Sequence, residues 1–130
     1  MKKIILVFTV LMCSLSTTAQ IPIPEDNPII YINTNTSSSS SASYSNNVVV
    51  QNNATWTLGH DHHFHYGAWI NVKSGSKLVI NGCTLASARL ILEPGSKLVI
   101  SNGGLLVTPV TAKFTAPLGV TVDISNGTIM

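Results

Sequence analysis

The sequence predicts an all-β fold, a single-stranded parallel β-helix (solenoid) of about four coils that follows a signal peptide and a disordered linker. Three observations support this fold class: one segment recurs at intervals of 20 to 24 residues, apolar and polar residues alternate within each copy, and Asn-Gly or Ser-Gly pairs separate the short strands. No stretch after Gln20 shows a 3.6-residue apolar period, so we expect essentially no helix in the mature chain.

Residues 1–19 have the three-part layout of a secretory signal peptide, with two lysines, an apolar run of about ten residues and a small polar stretch that ends at Ala19. Crossing a bilayer takes about 20 apolar residues, so the run is too short for a membrane anchor. Lipidation at Cys13 is disfavoured because Met12 stands where that processing requires a small residue. We therefore expect Sec-type export, cleavage after Ala19, a secreted or cell-surface location and no transmembrane segment in the mature chain.

The mature chain is expected to carry no net charge. The whole chain has 7 Lys and Arg against 5 Asp and Glu, and cleavage removes Lys2 and Lys3, which leaves five of each sign. A neutral chain lacks the electrostatic attraction for nucleic acid or anionic lipid, so we expect no nucleic-acid partner. Cleavage also leaves Cys83 as the only cysteine, which excludes an intramolecular disulfide and favours a small buried side chain over a nucleophile.

Residues 20–47 are predicted to form a flexible linker, rich first in Pro and then in Ser, Thr and Asn. Of the 15 residues from 33 to 47, 13 are Ser, Thr or Asn. This composition buries too little apolar surface to offset the entropy lost on ordering the chain. A glycosylated stalk is the alternative interpretation of the same composition.

Residues 48–130 contain four copies of one repeat and are predicted to form the solenoid. GSKLVI occurs at 75–80 and again at 95–100, and weaker copies occupy 50–58 and 119–127. This recurrence favours coils that stack at about 4.8 Å over a meander of hairpins. The predicted coils are roughly 48–68, 69–89, 90–111 and 112–130.

Alignment of the copies predicts which side chains face inward, because successive residues of a strand point to opposite faces. Two columns are apolar in every copy and are predicted to form the core; they comprise Trp56, Leu78, Leu98 and Val122, and Leu58, Ile80, Ile100 and Ile124. The column between them contains Thr57 and Asp123, which indicates that it faces solvent.

The segment WINVKSGSKLVINGCTLASARLILEPGSKLVISNGGLLVT resembles the glycine-punctuated, right-handed parallel β-helix repeats of large secreted bacterial surface proteins, both pectate-lyase-like and adhesin-like. The resemblance covers about residues 48–130, and the small number of coils suggests a short or truncated member. That family includes polysaccharide lyases, hydrolases, adhesins and passive stalks, and for this chain we expect an exported noncatalytic module with a structural or adhesive role at the bacterial cell surface. The alternative is a carbohydrate-active or metal-binding β-helix protein, similar to polysaccharide lyases, or a fragment of one.

The residues favour a chain that is not an enzyme. A β-helix lyase or hydrolase needs acidic residues gathered in one outward groove, whereas Glu93 and Asp123 fall in different columns and different coils. The nucleophile-elbow, phosphate-loop and dinucleotide-binding patterns do not occur. No catalytic residue is therefore assigned.

All four histidines lie between residues 60 and 65, which makes this segment the candidate metal site. Imidazole is the commonest ligand for transition metals, and His60, His62 and Asp61 could hold zinc or copper. The alternative is a polar crossover between coils with Phe64 turned inward beside Leu85, because no further Cys, Glu or Asp is near enough in the sequence to complete four ligands. If the segment is a crossover, we expect no cofactor. If it is a metal site, we expect zinc or copper.

Two kinds of partner are expected. The last predicted coil has no polar cap before Met130, which predicts contact with another copy, another surface protein or further chain. Tyr66 and Trp69 are candidates for stacking on glycans.

Overall fold

The computed structural model describes residues 27–65, 67–110 and 114–130. The predicted signal peptide and the predicted linker residues 20–26 lie outside this part of the chain. The described residues form strands and no helix, so this part of the chain contains no helix that could cross a membrane. The strands are β1 (Ile29–Ile32), β2 (Thr36–Ser37), β3 (Ala42–Tyr44), β4 (Asn47–Val50), β5 (Thr55–Leu58), β6 (His62–Phe64), β7 (Trp69–Val72), β8 (Lys77–Asn81), β9 (Thr84–Ala86), β10 (Arg89–Leu92), β11 (Lys97–Ser101), β12 (Gly104–Val107), β13 (Thr121–Ile124) and β14 (Gly127–Ile129).

These strands build a three-sided parallel β-solenoid. Sheet A has the order β1-β4-β7-β10, sheet B has β13-β11-β8-β5-β2, and sheet C has β14-β12-β9-β6-β3. Every pairing between neighbours is parallel, and in coils 1 to 4 the chain visits sheets A, B and C in turn before it moves one layer further on. The described part of coil 5 has strands in sheets B and C only. The predicted all-β parallel solenoid is confirmed.

The described residues form five coils, whereas the sequence predicts about four. Coil 1 holds β1–β3, coil 2 holds β4–β6, coil 3 holds β7–β9, coil 4 holds β10–β12 and coil 5 holds β13 and β14. The additional coil is coil 1, which occupies residues 29–44 of the segment predicted as a linker.

Coil 1 is ordered because coil 2 supplies partners for its polar and apolar side chains. The backbone N–H of Thr55 donates to Asn35 Oδ1 at 2.9 Å, and Gln51 Nε2 donates to Asn33 Oδ1 at 2.9 Å. Ile30, Ile32 and Tyr44 pack against the buried core. The linker prediction is therefore wrong for the strand-forming residues of coil 1. It rested on their polar composition alone, whereas they are ordered by pairing with the strands of coil 2.

The core lies between the three sheets and contains the predicted columns. In sheet B, Trp56 pairs in register with Leu78, Leu78 with Leu98, and Leu98 with Val122. The second column, Leu58, Ile80, Ile100 and Ile124, is in register as well. All of these side chains are buried except Val122, which is half-buried, and Ile124, which is 46% exposed.

One column of turns between sheets A and B requires left-handed backbone in four coils. Asn53, Gly75, Gly95 and Gly119 have φ angles of 59°, 82°, 89° and 90°. Gly75 N donates to Gly95 O at 2.9 Å, and Gly95 N donates to Gly119 O at 2.8 Å. Glycine adopts this conformation without steric cost and Asn tolerates it better than most residues, so these turns keep successive coils in register.

Candidate functional site

The histidine segment runs along sheet C of coil 2 as β6 and the residues on either side of it. Alternation along β6 turns His62 and Phe64 inward and His63 outward, and the exposed His65 follows the strand. The strand pairs with β3 on one side and β9 on the other, which places His63 between Ser43 and Ala86.

His62 is a core residue with a defined tautomer. Its side chain is 2% exposed, and its ring stacks on Tyr44 with centroids 5.5 Å apart. His62 Nδ1 lies 2.6 Å from the carbonyl oxygen of His60, so Nδ1 carries the proton and donates. Nε2 is buried without a hydrogen-bond partner. The ring therefore serves as an aromatic packing group at the boundary of coils 1 and 2.

The three residues of the predicted metal site do not come together. Asp61 is exposed, and its Oδ1 accepts a 2.7 Å hydrogen bond from the backbone N–H of Thr84 in coil 3. His60 is exposed, whereas His62 faces the core. Within the described residues, no three His, Cys, Asp or Glu side chains converge as metal ligands.

Phe64 is fully buried, as the alternative interpretation predicts, but its segment is strand β6 of sheet C and not a crossover between coils, and its predicted neighbour differs. The residue in register with Leu85 is His62, two positions earlier. The predicted pair is therefore wrong by two positions. Four residues separate Ile80 from Leu85, whereas three separate Leu58 from His62, and this difference accounts for one of the two positions.

His63 and His65 are a pair of outward-facing side chains that were not among the predicted metal ligands. Their ring centroids lie 6.3 Å apart at an interplanar angle of 88°, and both side chains are exposed. His63 also lines a depression of about 530 Å³ on the outer face of sheet C, together with Ser41, Ser43, Asp61, Thr84 and Ala86. The His-x-His spacing and strand alternation were the sequence signals for this pair.

The acidic residues of the later coils form ion pairs between coils. Lys73 Nζ donates to Glu93 Oε2 at 2.8 Å, and this hydrogen bond lowers the pKa of the Glu93 carboxyl. Lys97 Nζ lies 3.8 Å from Asp123 Oδ2. Glu93 and Asp123 thus face lysines of the preceding coil, an arrangement that supports the stack.

Cys83 has the buried position that the sequence predicts. Its Sγ donates to the carbonyl oxygen of Leu58 at 3.1 Å, and burial raises the pKa of the thiol. A raised pKa disfavours the thiolate, which is the nucleophilic form.

Of the two candidate glycan-stacking residues, Tyr66 lies outside the described residues. Trp69 is half-buried on the outer side of sheet A, and its backbone N–H donates to Asn47 Oδ1 at 3.0 Å.

The fold defines the class of this chain as a parallel β-solenoid protein. No protein family, curated protein or solved structure gives a significant match to it.

Proposed function

We propose that this chain is an exported, noncatalytic β-solenoid module with a structural or adhesive role at the bacterial cell surface, similar to adhesin-like β-helix proteins. The observation that carries the proposal is the in-register parallel pairing that runs from coil 1 to coil 5 in sheets B and C. Such pairing gives a rigid stack with a spacing of about 4.8 Å between coils. A rigid stack suits a spacer or a display surface.

The outer face of sheet B supports an adhesive role because it presents ordered columns of side chains. One column aligns Thr57, Val79, Val99 and Asp123, and its neighbour aligns Thr55, Lys77, Lys97 and Thr121. These residues are half-buried or exposed, so a partner can contact them without disturbing the core. Glycans and other repetitive polymers are the partners that such a periodic surface fits.

Coil 5 supports association with a second copy or another surface protein. Its strands β13 and β14 each pair with coil 4 on one side only, which leaves their other edges free for a further parallel strand in the described structure. Ile124 occupies a core column but remains 46% exposed at this end.

The test expresses the full-length chain with its own leader in a bacterial host and follows it by antibody labelling of intact cells. We expect removal of the leader, surface labelling and attachment of cells to a glycan-coated or protein-coated support. The matched control is Leu98→Asp, which places a charge in the core and should abolish attachment by preventing folding.

Retention of an uncleaved chain in the cytoplasm contradicts the proposed location. Surface display without any effect on attachment or on mechanical stability of the envelope contradicts the proposed role. Measurable turnover of acidic polysaccharides by the purified chain contradicts the noncatalytic assignment.

A further inference from the structure

We propose that His63 and His65 form a two-ligand site for a divalent transition metal ion, with Cu²⁺ preferred, on the outer face of sheet C. The site differs from the one that the sequence predicts, because His60, Asp61 and His62 are not its ligands. It also goes beyond the proposed surface role.

The separation of the two rings is close to that of a chelating pair. Metal–nitrogen bonds of about 2.0 Å place two imidazole centroids about 4.5 to 5 Å apart when the ligands subtend 90° to 110° at the metal. The His63 and His65 centroids lie 6.3 Å apart. Both side chains are exposed, so rotation about their side-chain torsions can supply the remaining approach of about 1 to 2 Å without disturbing the core.

The neighbours of His63 leave room for a metal ion and its remaining ligands. The residues on either side of His63 in the sheet are Ser43 and Ala86, which are both small. Together with His63 they line a depression of about 530 Å³, and His65 lies exposed beside it. Water molecules can therefore complete the coordination of a metal held by two imidazoles.

The charge on this face favours a cation. The described strands of sheet C contain no Lys or Arg, and Asp61 lies on the same face two residues before His63. Asp61 Oδ1 is held by the backbone N–H of Thr84, so Asp61 contributes its charge to the face while its position is fixed by coil 3. An opposite charge at this range raises the local concentration of a divalent cation.

The two nitrogen ligands favour Cu²⁺ over other divalent ions. Imidazole binds zinc, copper and nickel, and the affinity of a given nitrogen site is greatest for Cu²⁺. His62 is excluded as a third ligand because its ring faces the core and its Nδ1 donates to the His60 carbonyl. His60 is exposed and belongs to the same segment, which makes it the matched control.

The test titrates Cu²⁺ and Zn²⁺ into the full-length chain, purified without a polyhistidine tag, by isothermal titration calorimetry. We expect one saturable Cu²⁺ site per chain with at least tenfold weaker Zn²⁺ binding. His63→Ala and His65→Ala should each weaken Cu²⁺ binding at least tenfold, whereas His60→Ala should change it less than twofold. Circular dichroism and thermal unfolding of the metal-free variants should match the unsubstituted chain, because both side chains are exposed.

Electron paramagnetic resonance of the Cu²⁺ complex supplies a readout that a purely structural role would not change. The unsubstituted chain should show coupling to two imidazole nitrogens, and either variant should show coupling to one. Three results would overturn the proposal: no saturable Cu²⁺ binding, binding that survives His63→Ala unchanged, or equal loss on His60→Ala, which would return the site to the residues predicted from sequence.

Discussion

Coils 4 and 5 carry equivalent residues in the same two columns of sheet B, yet only those of coil 4 are fully buried. Leu98 and Ile100 are 0% exposed, whereas their partners in register, Val122 and Ile124, are half-buried and 46% exposed. Coil 4 has a coil on each side, but coil 5 pairs with coil 4 alone. In these two columns of sheet B, the inward direction is therefore a property of the strand, whereas full burial goes with a further coil on the other side.

The two coils differ in sheet A as well. Within the described residues sheet A ends at β10, so coil 5 contributes strands only to sheets B and C. The connection toward β13 contains Pro109 and Pro117, which have no backbone N–H to donate to a ladder. Among the described residues, the last coil therefore has ladder hydrogen bonds in two sheets, whereas coil 4 has them in three.

The largest expected effect comes from truncating equivalent core side chains in the two coils. Leu98→Ala should lower the free energy of unfolding by about 3 to 4 kcal/mol, because it leaves a cavity among fully buried neighbours. Val122→Ala should cost about 1 kcal/mol or less, because fewer methyl groups are removed from a half-buried site. Urea denaturation followed by circular dichroism measures both, and equal losses would show that coil 5 is covered in solution.

Adding a methyl group to equivalent glycines sharpens the comparison. A Cβ at Gly104 would lie 2.6 Å from the carbonyl oxygen of Ile80, so Gly104→Ala should cost about 2 to 3 kcal/mol in unfolding free energy. A Cβ at Gly127, the partner of Gly104 in register, would also lie close to atoms of coil 4. Because coil 5 can shift outward, Gly127→Ala should lower the free energy of unfolding by about half as much.

Gly59→Ala is the control for the glycine substitutions, since a Cβ there meets nothing within 4 Å. Thermal and urea unfolding of the three variants give the comparison. A loss at Gly59 as large as that at Gly104 would contradict the steric explanation.

The exposed end of the core column predicts weak association. If coil 5 pairs with another copy, light scattering should show a concentration-dependent increase in mass. Ile124→Lys should weaken this association at least tenfold, or about 1.4 kcal/mol, because it places a charge in the contact. Thr57→Lys, on the outer face of the same sheet in coil 2, is the matched control and should leave association unchanged. A monomer at every concentration contradicts the prediction.

The smallest expected effect concerns the ion pairs between coils. Glu93→Gln should cost about 0.5 kcal/mol at neutral pH, because the Lys73–Glu93 pair is substantially exposed. The longer Lys97–Asp123 pair joins coil 4 to coil 5, so Asp123→Asn should cost less.

The pH dependence of the Glu93 contribution has a definite sign. Because the hydrogen bond from Lys73 lowers the pKa of Glu93, this contribution is present above the ordinary Glu pKa and is lost as the pH falls through the lowered value. Urea denaturation at neutral and acidic pH should therefore show the difference between Glu93→Gln and the unsubstituted chain disappearing in acid. A difference that grows in acid would contradict the assignment.

The registers of coils 2 to 5 in sheet B were predictable because each copy of the repeat contains a recognisable turn followed by alternating apolar residues. The repeated GSKLVI places a left-handed glycine turn just before alternating strand residues, so Leu78 and Leu98 could be aligned without a structure. The His62 register was not predictable in the same way, because its segment shares no motif with β9 and the intervening turns vary in length.

The recurrence of one segment every 20 to 24 residues predicted the parallel solenoid, and the alternation and glycine turns within each copy predicted its inward columns. Tertiary structure decided that residues 29–44 form a coil and that Ile124 remains exposed. It also decided which of the two histidine faces given by alternation is inward, so that His62 stacks in the core and His63 and His65 face solvent. The reason is that ordering and burial depend on which strand lies alongside, and that strand is about 20 residues away in sequence and about 4.8 Å away in space.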